Sequence, residues 1–222
     1  MSSRAPTATA TDAATASYER FAGICAVLAV IGGLLYSVAF VILKQVTLYS
    51  VILLTGGLLS IVVFVALYNR FRASDPSFAM LGFAFGLAAG IGSAVHGAYD
   101  LANALHPEAA PSVLASDKVT ADTLASLPNS VDPRGLLTFG VSGLAFLIFA
   151  WLISRSGSLP RGLGYLGYLL GLLLVEIFLA RLIILDPKNP IVLYPAAATG
   201  LLISPLWYLW LGISLLRSRQ SA

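Results

Sequence analysis

The stretch LGYLGYLLGLLLVEIFLARLIIL, residues 163–185, decides the fold of this chain. A helix of that length measures about 34 Å, which is enough to cross the hydrocarbon core of a bilayer. Two charged residues, Glu176 and Arg181, interrupt the stretch. A charged side chain at the centre of a membrane helix costs about 2.5–3.5 kcal/mol on insertion scales, so such residues usually face a partner, a cavity or a pathway. We therefore expect this helix to carry the polar centre of the protein.

The composition of the whole chain indicates the same class of protein. Of 222 residues, 58% are hydrophobic and 10% are charged, with a mean hydropathy of +0.89, whereas a soluble domain has about 25% charged residues. We predict an integral membrane protein in contact with the lipid bilayer. The net charge is only +3, and no basic stripe is interleaved with aromatic residues, so we expect no nucleic-acid partner. The single cysteine, Cys25, excludes a disulfide framework and is expected to pack in the core.

Six apolar runs are long enough to be membrane-crossing helices, which predicts an all-α, polytopic bundle with six transmembrane helices. They cover approximately residues 21–43, 49–68, 78–102, 135–153, 163–185 and 191–216. The transmembrane domain is predicted to comprise residues 18–219, preceded by a disordered tail, 1–17. The longest connection, 106–133, is predicted to be extracytoplasmic. It forms either a lid with a short helix over residues 116–127 or a disordered loop.

Lysine and arginine are distributed unevenly between alternate connections, which predicts the orientation of the chain. Eight basic residues lie on the side of the termini: Arg4, Arg20, Arg70, Arg72, Arg155, Arg161, Arg217 and Arg219. Four lie on the opposite side: Lys44, Lys118, Arg134 and Lys188. We therefore expect both termini to be cytoplasmic, and an even number of spans agrees with that orientation.

Two polar residues of the third run, His96 and Asp100, are predicted to interact. They are four residues apart, so on a helix their side chains point in nearly the same direction. The carboxylate would favour the imidazolium and hold the ring in one orientation, an arrangement typical of proton relays and pH sensors. Counted from residue 102, His96 lies about 9 Å inside the helix.

The two charged residues of the fifth run are not expected to share a face, because five residues on a helix differ by about 140°. Arg181 lies about 7–8 Å below Asp186 and is expected to extend toward the surface. Glu176 lies about 15 Å deep, close to the midplane. Its carboxyl group must be protonated, paired across helices or in contact with water.

These depths predict an outer polar layer with Glu176 beneath it, and two interpretations of that layer stay open. The first is an outward-facing pocket for a ligand or for protons, because several ionisable groups occupy similar depths. Its site residues would be Glu176, Arg181, His96 and Asp100. Its rim would be formed by Tyr99, Asp186 and Tyr194. The second is an interhelical hydrogen-bond network that only fixes the register of the helices.

Glycine strips on the third and fifth runs predict surfaces of close helix approach. Gly82, Gly86 and Gly90 recur at four-residue spacing on the third run, and the fifth run repeats the pattern from Gly164 to Gly171. We expect these two helices to be direct neighbours. The alternative is that glycine is simply frequent in membrane helices.

Several kinds of chemistry lack the residues they need. His96, Asp100 and Glu176 could hold a divalent ion, but no HExxH or comparable spacing accompanies them. The sequence from Gly140 to Gly143 is one residue short of a GxSxG nucleophile elbow, and there is no P-loop. We therefore assign no catalytic residue, no metal site and no cofactor.

Short motifs spread over most of the chain resemble those of a known family. They are RFAGI at residues 20–24, LPRGLG at 159–164 and WLGI at 210–213. This pattern is similar to that of a bacterial family of small multi-helix membrane proteins known only as a domain of unknown function. The resemblance implies a small helical bundle in a bacterial plasma (inner) membrane. It provides no catalytic residues to transfer.

Three functional hypotheses follow from these residues. The leading one is a membrane protein whose pocket binds a small polar or amphiphilic ligand, transports it or relays protons. The alternative is a non-catalytic accessory or scaffold subunit, in which glycine strips and loops dock against a membrane-protein partner or a second copy of the chain. The third is a membrane-embedded enzyme that acts on lipid.

Overall fold

The computed structural model describes residues 10–106, 131–184, 186 and 189–217, and the regular structure in these ranges is entirely helical. The α-helices are α1 Ala10–Ser37, α2 Val46–Phe71, α3 Pro76–Leu105, α4 Ser142–Ser156, α5 Arg161–Ile183, α6 Pro190–Ala198 and α7 Ser204–Arg217. Three π-helical segments interrupt the spans: Val38–Leu43 after α1, Leu136–Val141 before α4 and Thr199–Ile203 between α6 and α7. A 3₁₀ turn, Pro133–Gly135, precedes the second of these.

Within the described residues, six helical stretches are long and apolar enough to cross a membrane, which confirms the predicted all-α bundle of six transmembrane helices. They are Thr15–Phe40, Val46–Phe71, Pro76–Leu105, Pro133–Ser156, Arg161–Ile183 and Pro190–Arg217. The first helix begins at Ala10, within the segment predicted to be a disordered tail. Alanine has the highest helix propensity, which favours this extension. The predicted short helix at 116–127 lies outside the described residues.

Local sequence signals explain where the helices begin and end. Asp75 caps α3 by accepting a hydrogen bond from the Phe78 N–H at 3.2 Å, and Pro76 occupies the first turn, where its missing N–H does no harm. Asn189 caps α6 in the same way, through the Ile191 N–H at 3.0 Å. Consecutive spans run antiparallel, and all of them except the third and fourth are joined by short connections. One end of the bundle holds the termini, and we call the other the loop end.

The glycine strips do mark close helix contacts, but the predicted pairing of the third and fifth spans is wrong. The third span, α3, packs mainly against α2 and α4, and α5 packs mainly against α4. A Cβ atom on Gly97 would lie 2.5 Å from the Leu54 backbone nitrogen of α2. On α5, a Cβ atom on Gly171 would lie 2.8 Å from the Gly143 carbonyl oxygen of α4. Small-residue spacing therefore indicates close approach but does not encode the identity of the neighbour.

Aromatic side chains fill the half of the bundle nearest the termini. The buried rings there include Phe64, Phe71, Phe146, Phe149, Trp207 and Tyr208. Phe64 stacks on Phe149 with ring centres 5.7 Å apart, and Phe146 meets Trp207 edge to face at 4.8 Å. Such pairs add about 0.5–1.5 kcal/mol each beyond the burial of their area. We call this group the aromatic cluster, and it closes the terminal half of the bundle.

Candidate functional site

The site begins with a tight turn ahead of the fourth span. Arg134 and Gly135 both have positive φ, 58° and 79°, a conformation that glycine adopts freely and arginine does not. The turn folds the Asp132 side chain back over the start of the span. Its Oδ1 accepts the Leu137 N–H at 2.7 Å, and its Oδ2 accepts the Thr138 N–H at 3.2 Å. These are donors that a helix start would otherwise leave without partners.

His96 connects this turn to α3. Its Nδ1 lies 3.3 Å from Asp132 Oδ2 and its Nε2 lies 3.5 Å from Asp100 Oδ2. The second contact joins residues four apart on α3, as the spacing predicts. A neutral imidazole has one N–H donor and an imidazolium has two, so only the imidazolium can donate to both carboxylates. His96 therefore holds together two acidic residues that would otherwise repel each other.

Two hydroxyl groups complete this assembly. The Tyr49 hydroxyl of α2 donates to Asp100 Oδ2 at 3.4 Å, and the Thr138 hydroxyl donates to Asp132 Oδ2 at 2.6 Å. We call Tyr49, His96, Asp100, Asp132 and Thr138 the polar cluster. It joins α2, α3 and the beginning of the fourth span near the loop end of the bundle.

The Asp132 carboxylate is fully buried, at 0% relative exposure. Burial by itself would raise the pKa of its carboxyl group, because it disfavours the charged form. Hydrogen bonds from His96, Thr138 and the Leu137 N–H outweigh burial and hold the pKa of Asp132 below its ordinary value of 3.8. The folded protein therefore stabilises the ionised form of Asp132.

Arg181 lies beside the polar cluster without bonding to it. Its guanidinium carbon is 5.3 Å from the centre of the Phe139 ring, a cation–π contact. A Cβ atom on Gly135 would lie 3.5 Å from Nη1 of Arg181, which places the guanidinium next to the turn that carries Asp132. Among the described residues, no hydrogen bond or ion pair to Arg181 is formed. The structure thus brings Arg181, His96 and Asp100 to one region.

Glu176 lies elsewhere. Its side chain is exposed on the outer face of α5, alongside Leu172 and Leu179, whereas Leu174 and Ile177 point into the bundle. The expected grouping of Glu176 with the other ionisable residues is therefore not formed. The predicted rim residues do not converge in an enclosed site either: Tyr99 is half-buried, Asp186 is exposed and Tyr194 is 70% exposed.

A cavity of about 210 Å³ lies between the helices, next to the polar cluster. Seven hydroxyl-bearing side chains contribute to its wall: Tyr36, Ser60, Ser93, Thr138, Ser142, Ser204 and Tyr208. Tyr208 donates to Ser60 Oγ at 3.0 Å. Ser93, Ser142 and Ser204 form no hydrogen bond with a described residue. Helix rise places Thr138 about 7 Å and Ser204 about 21 Å from the loop end of their spans. The cavity therefore extends from the polar cluster to mid-bundle, where Phe146 and Tyr208 of the aromatic cluster form part of its wall.

The sequence prediction missed most of this site. The sequence patterns single out His96 and Asp100 but assign no role to Asp132, Tyr49, Thr138 or the serines of the cavity. The available signal was an aspartate ahead of Pro-Arg-Gly, a combination that can fold a carboxylate onto a helix start. In the described ranges, no group of three His, Cys, Asp or Glu residues could hold a metal ion.

Six apolar spans with polar contacts between them define a polytopic α-helical membrane protein. Residues 43–217 match a family described as a domain of unknown function, DUF4386, and the chain belongs to this family. The match confirms the resemblance drawn from the sequence and contains every residue of the polar cluster. No curated protein and no solved structure matches the chain.

Proposed function

We propose that this protein binds a small polar molecule in the hydroxyl-lined cavity. The observation that carries the proposal is the set of serine hydroxyls, Ser93, Ser142 and Ser204, which line the cavity without a hydrogen-bond partner among the described residues. Polar groups inside a membrane bundle are costly unless they are satisfied. A ligand with its own donors and acceptors would satisfy all three.

The size of the cavity agrees with a small ligand. Its volume of about 210 Å³ exceeds the ~150 Å³ of an engineered protein cavity that binds benzene. Its wall differs from that cavity in carrying hydroxyl groups, which select for hydrogen-bonding molecules over hydrocarbons. We therefore assign the ligand to the class of small neutral polyols, amides or similar polar compounds.

The polar cluster gives the cavity a connection to titratable groups. Thr138 belongs to both, because it lines the cavity and its hydroxyl donates to Asp132. A ligand that draws the Thr138 hydroxyl into its own hydrogen bond removes one donor from Asp132, which in turn contacts His96. Ligand binding would thereby be coupled to the protonation of the cluster, the basis for transport or proton relay at this site.

The proposal is tested by thermal-shift titration of the protein in lipid nanodiscs with a panel of neutral polyols and amides. A ligand at 100 times its Kd stabilises a protein by about 2.7 kcal/mol, which corresponds to a rise in melting temperature of about 5–10 °C for a chain of this size. We expect Ser142→Leu, which fills the cavity, to abolish the shift. Ser214→Leu on α7, whose hydroxyl bonds to the Trp210 carbonyl away from the cavity, is the matched control. Failure of every compound to shift the wild type, or an undiminished shift in Ser142→Leu, would contradict the proposal.

A further inference from the structure

Glu176 is the one acidic or basic residue of the described spans whose position the cavity and the polar cluster leave unexplained. It is exposed about 10 Å inside the end of α5 at Ile183, a depth that a glutamate side chain cannot bridge to the interface. The other exposed charged side chains of the described spans lie within five residues of a span end. Among the described residues, Glu176 has no hydrogen-bond or ion-pair partner. Lipid alone is a poor neighbour for such a group.

The surface around Glu176 has the spacing of a helix–helix contact. Six exposed residues follow one another along α5 at alternating intervals of four and three, and Leu182 is exposed beside them. The six are Tyr165, Leu169, Leu172, Glu176, Leu179 and Ile183, which we call the α5 stripe. This spacing keeps one face of a helix turned toward a neighbouring helix over its whole length. A single polar residue within such a seam fixes the register and the number of partners.

Spacing alone does not distinguish a contact surface from a lipid-facing one. On α1, five exposed residues with the same alternating spacing are all apolar: Phe21, Ile24, Leu28, Ile31 and Leu35. We call these the α1 stripe, and lipid is a sufficient neighbour for it. The carboxyl group of Glu176 is what sets the α5 stripe apart.

A groove beside the α5 stripe adds a concave surface in the terminal half. It lies between α5 and α7 and has a volume of about 690 Å³. Tyr165 and Leu169 of the stripe line it together with Leu206, Leu209 and Trp210 of α7. Side chains of a neighbouring helix could insert there, so the contact surface continues without a break from the groove to Ile183.

We propose that the α5 stripe is the interface of a homodimer in the membrane, with the two Glu176 carboxyl groups hydrogen-bonded to each other. Two copies inserted in the same direction are related by a twofold axis along the membrane normal, which places each residue opposite its own counterpart at the same depth. A protonated carboxyl group is both donor and acceptor, so it is complementary to itself or to a carboxylate. A second copy of the chain supplies the same carboxyl group at the same depth in the membrane. The interface is independent of ligand binding in the cavity.

The first test is disulfide cross-linking of the full chain in native membranes. Cys25 is buried and is replaced by alanine to remove the background thiol. Leu172→Cys and Leu179→Cys introduce thiols into the α5 stripe, and Leu28→Cys and Ile31→Cys introduce matched thiols into the α1 stripe. We expect an oxidant to produce a dimer at one or both α5 positions and at least fivefold less at the α1 positions, because a disulfide needs Cα atoms within about 7 Å. Equal cross-linking on both stripes, or none on α5, would overturn the proposal.

The second test changes Glu176 in the cross-linking background. Interhelical polar contacts in membranes contribute about 1–2 kcal/mol in model peptides, so Glu176→Leu should weaken dimerisation about tenfold. Glu176→Gln keeps a self-complementary group and should remain within about twofold of the wild type. Elution as a single monodisperse species shows that each variant is folded. Unchanged dimerisation in Glu176→Leu would contradict the proposal. An equal loss of dimerisation in Glu176→Gln and Glu176→Leu would also contradict it, because it would indicate that Glu176 pairs with a cationic group of a different membrane protein.

Discussion

Replacing the buried Asp132 by asparagine should destabilise the protein far more than its near-isosteric shape suggests. The carboxylate accepts hydrogen bonds from two backbone N–H groups, one on each oxygen. Asparagine has a single acceptor oxygen, so either orientation of its amide turns an NH₂ group toward the N–H of Leu137 or of Thr138. A buried donor left without a partner costs about 1–3 kcal/mol. Loss of the charge facing His96 adds about 1 kcal/mol, the difference between a hydrogen bond to a charged group and one to a neutral group.

We therefore expect Asp132→Asn to lower the free energy of unfolding by about 3 kcal/mol, or the melting temperature by about 6–12 °C. The assay is thermal unfolding of purified protein in one detergent, followed by intrinsic tryptophan fluorescence, to which the buried Trp207 contributes. Asp75→Asn is the matched control, since Asp75 also precedes a proline and caps a helix but accepts only the Phe78 N–H. Asparagine and aspartate are about equal as caps. If Asp132→Asn cost no more than Asp75→Asn, Asp132 would be an ordinary cap and the reasoning would be refuted.

Three further predictions can be checked with the same preparation or in cells. The pKa of Asp132 lies below its ordinary value of 3.8 in the folded protein, so the stabilising contribution of the carboxylate is present above pH 3.8 and is lost as the pH falls through the folded pKa. The difference in stability between wild type and Asp132→Asn should therefore narrow from pH 5 to pH 3. A constant difference would contradict an ionised Asp132 in the folded protein. Gly97→Ala should destabilise the protein by about 1–3 kcal/mol, since the added Cβ atom would meet backbone atoms of α2. The control is Gly33→Ala, where the added Cβ atom has open space; this variant should be neutral or slightly stabilising in the same unfolding assay. The arginine bias predicts cytoplasmic termini, so green fluorescent protein fused after Ala222 should fluoresce, and alkaline phosphatase fused at the same point should be inactive. The reverse pattern would show that the C-terminus lies on the opposite side of the membrane.

The sequence predicted the features that depend on local patterns. Run length was sufficient to count the spans, and four-residue spacing was sufficient to bring His96 and Asp100 into contact. The contact between His96 and Asp132 joins residues 36 positions apart, and no local rule relates them. Packing of α3 against the fourth span creates that contact.

The direction in which a side chain points was harder to predict than its depth. Helix rise gives the depth of Glu176, but α5 carries leucine on all sides, so the apolar pattern does not mark which face is buried. The neighbours of α5 decide that Leu174 and Ile177 point inward and that Glu176 points outward. Similarly, the glycine strips predicted close approach and left the neighbour unspecified.

The aromatic cluster has a kinetic consequence. Because its rings fill the terminal half of the bundle, the hydroxyl-lined cavity is closed on that side. A molecule bound in the cavity could cross only if these rings and their helices rearrange, and such collective motions take microseconds to milliseconds. If the ligand proposed above is transported, its flux would therefore saturate with concentration and proceed one molecule per conformational cycle, and would not reach the diffusive rate of an open channel.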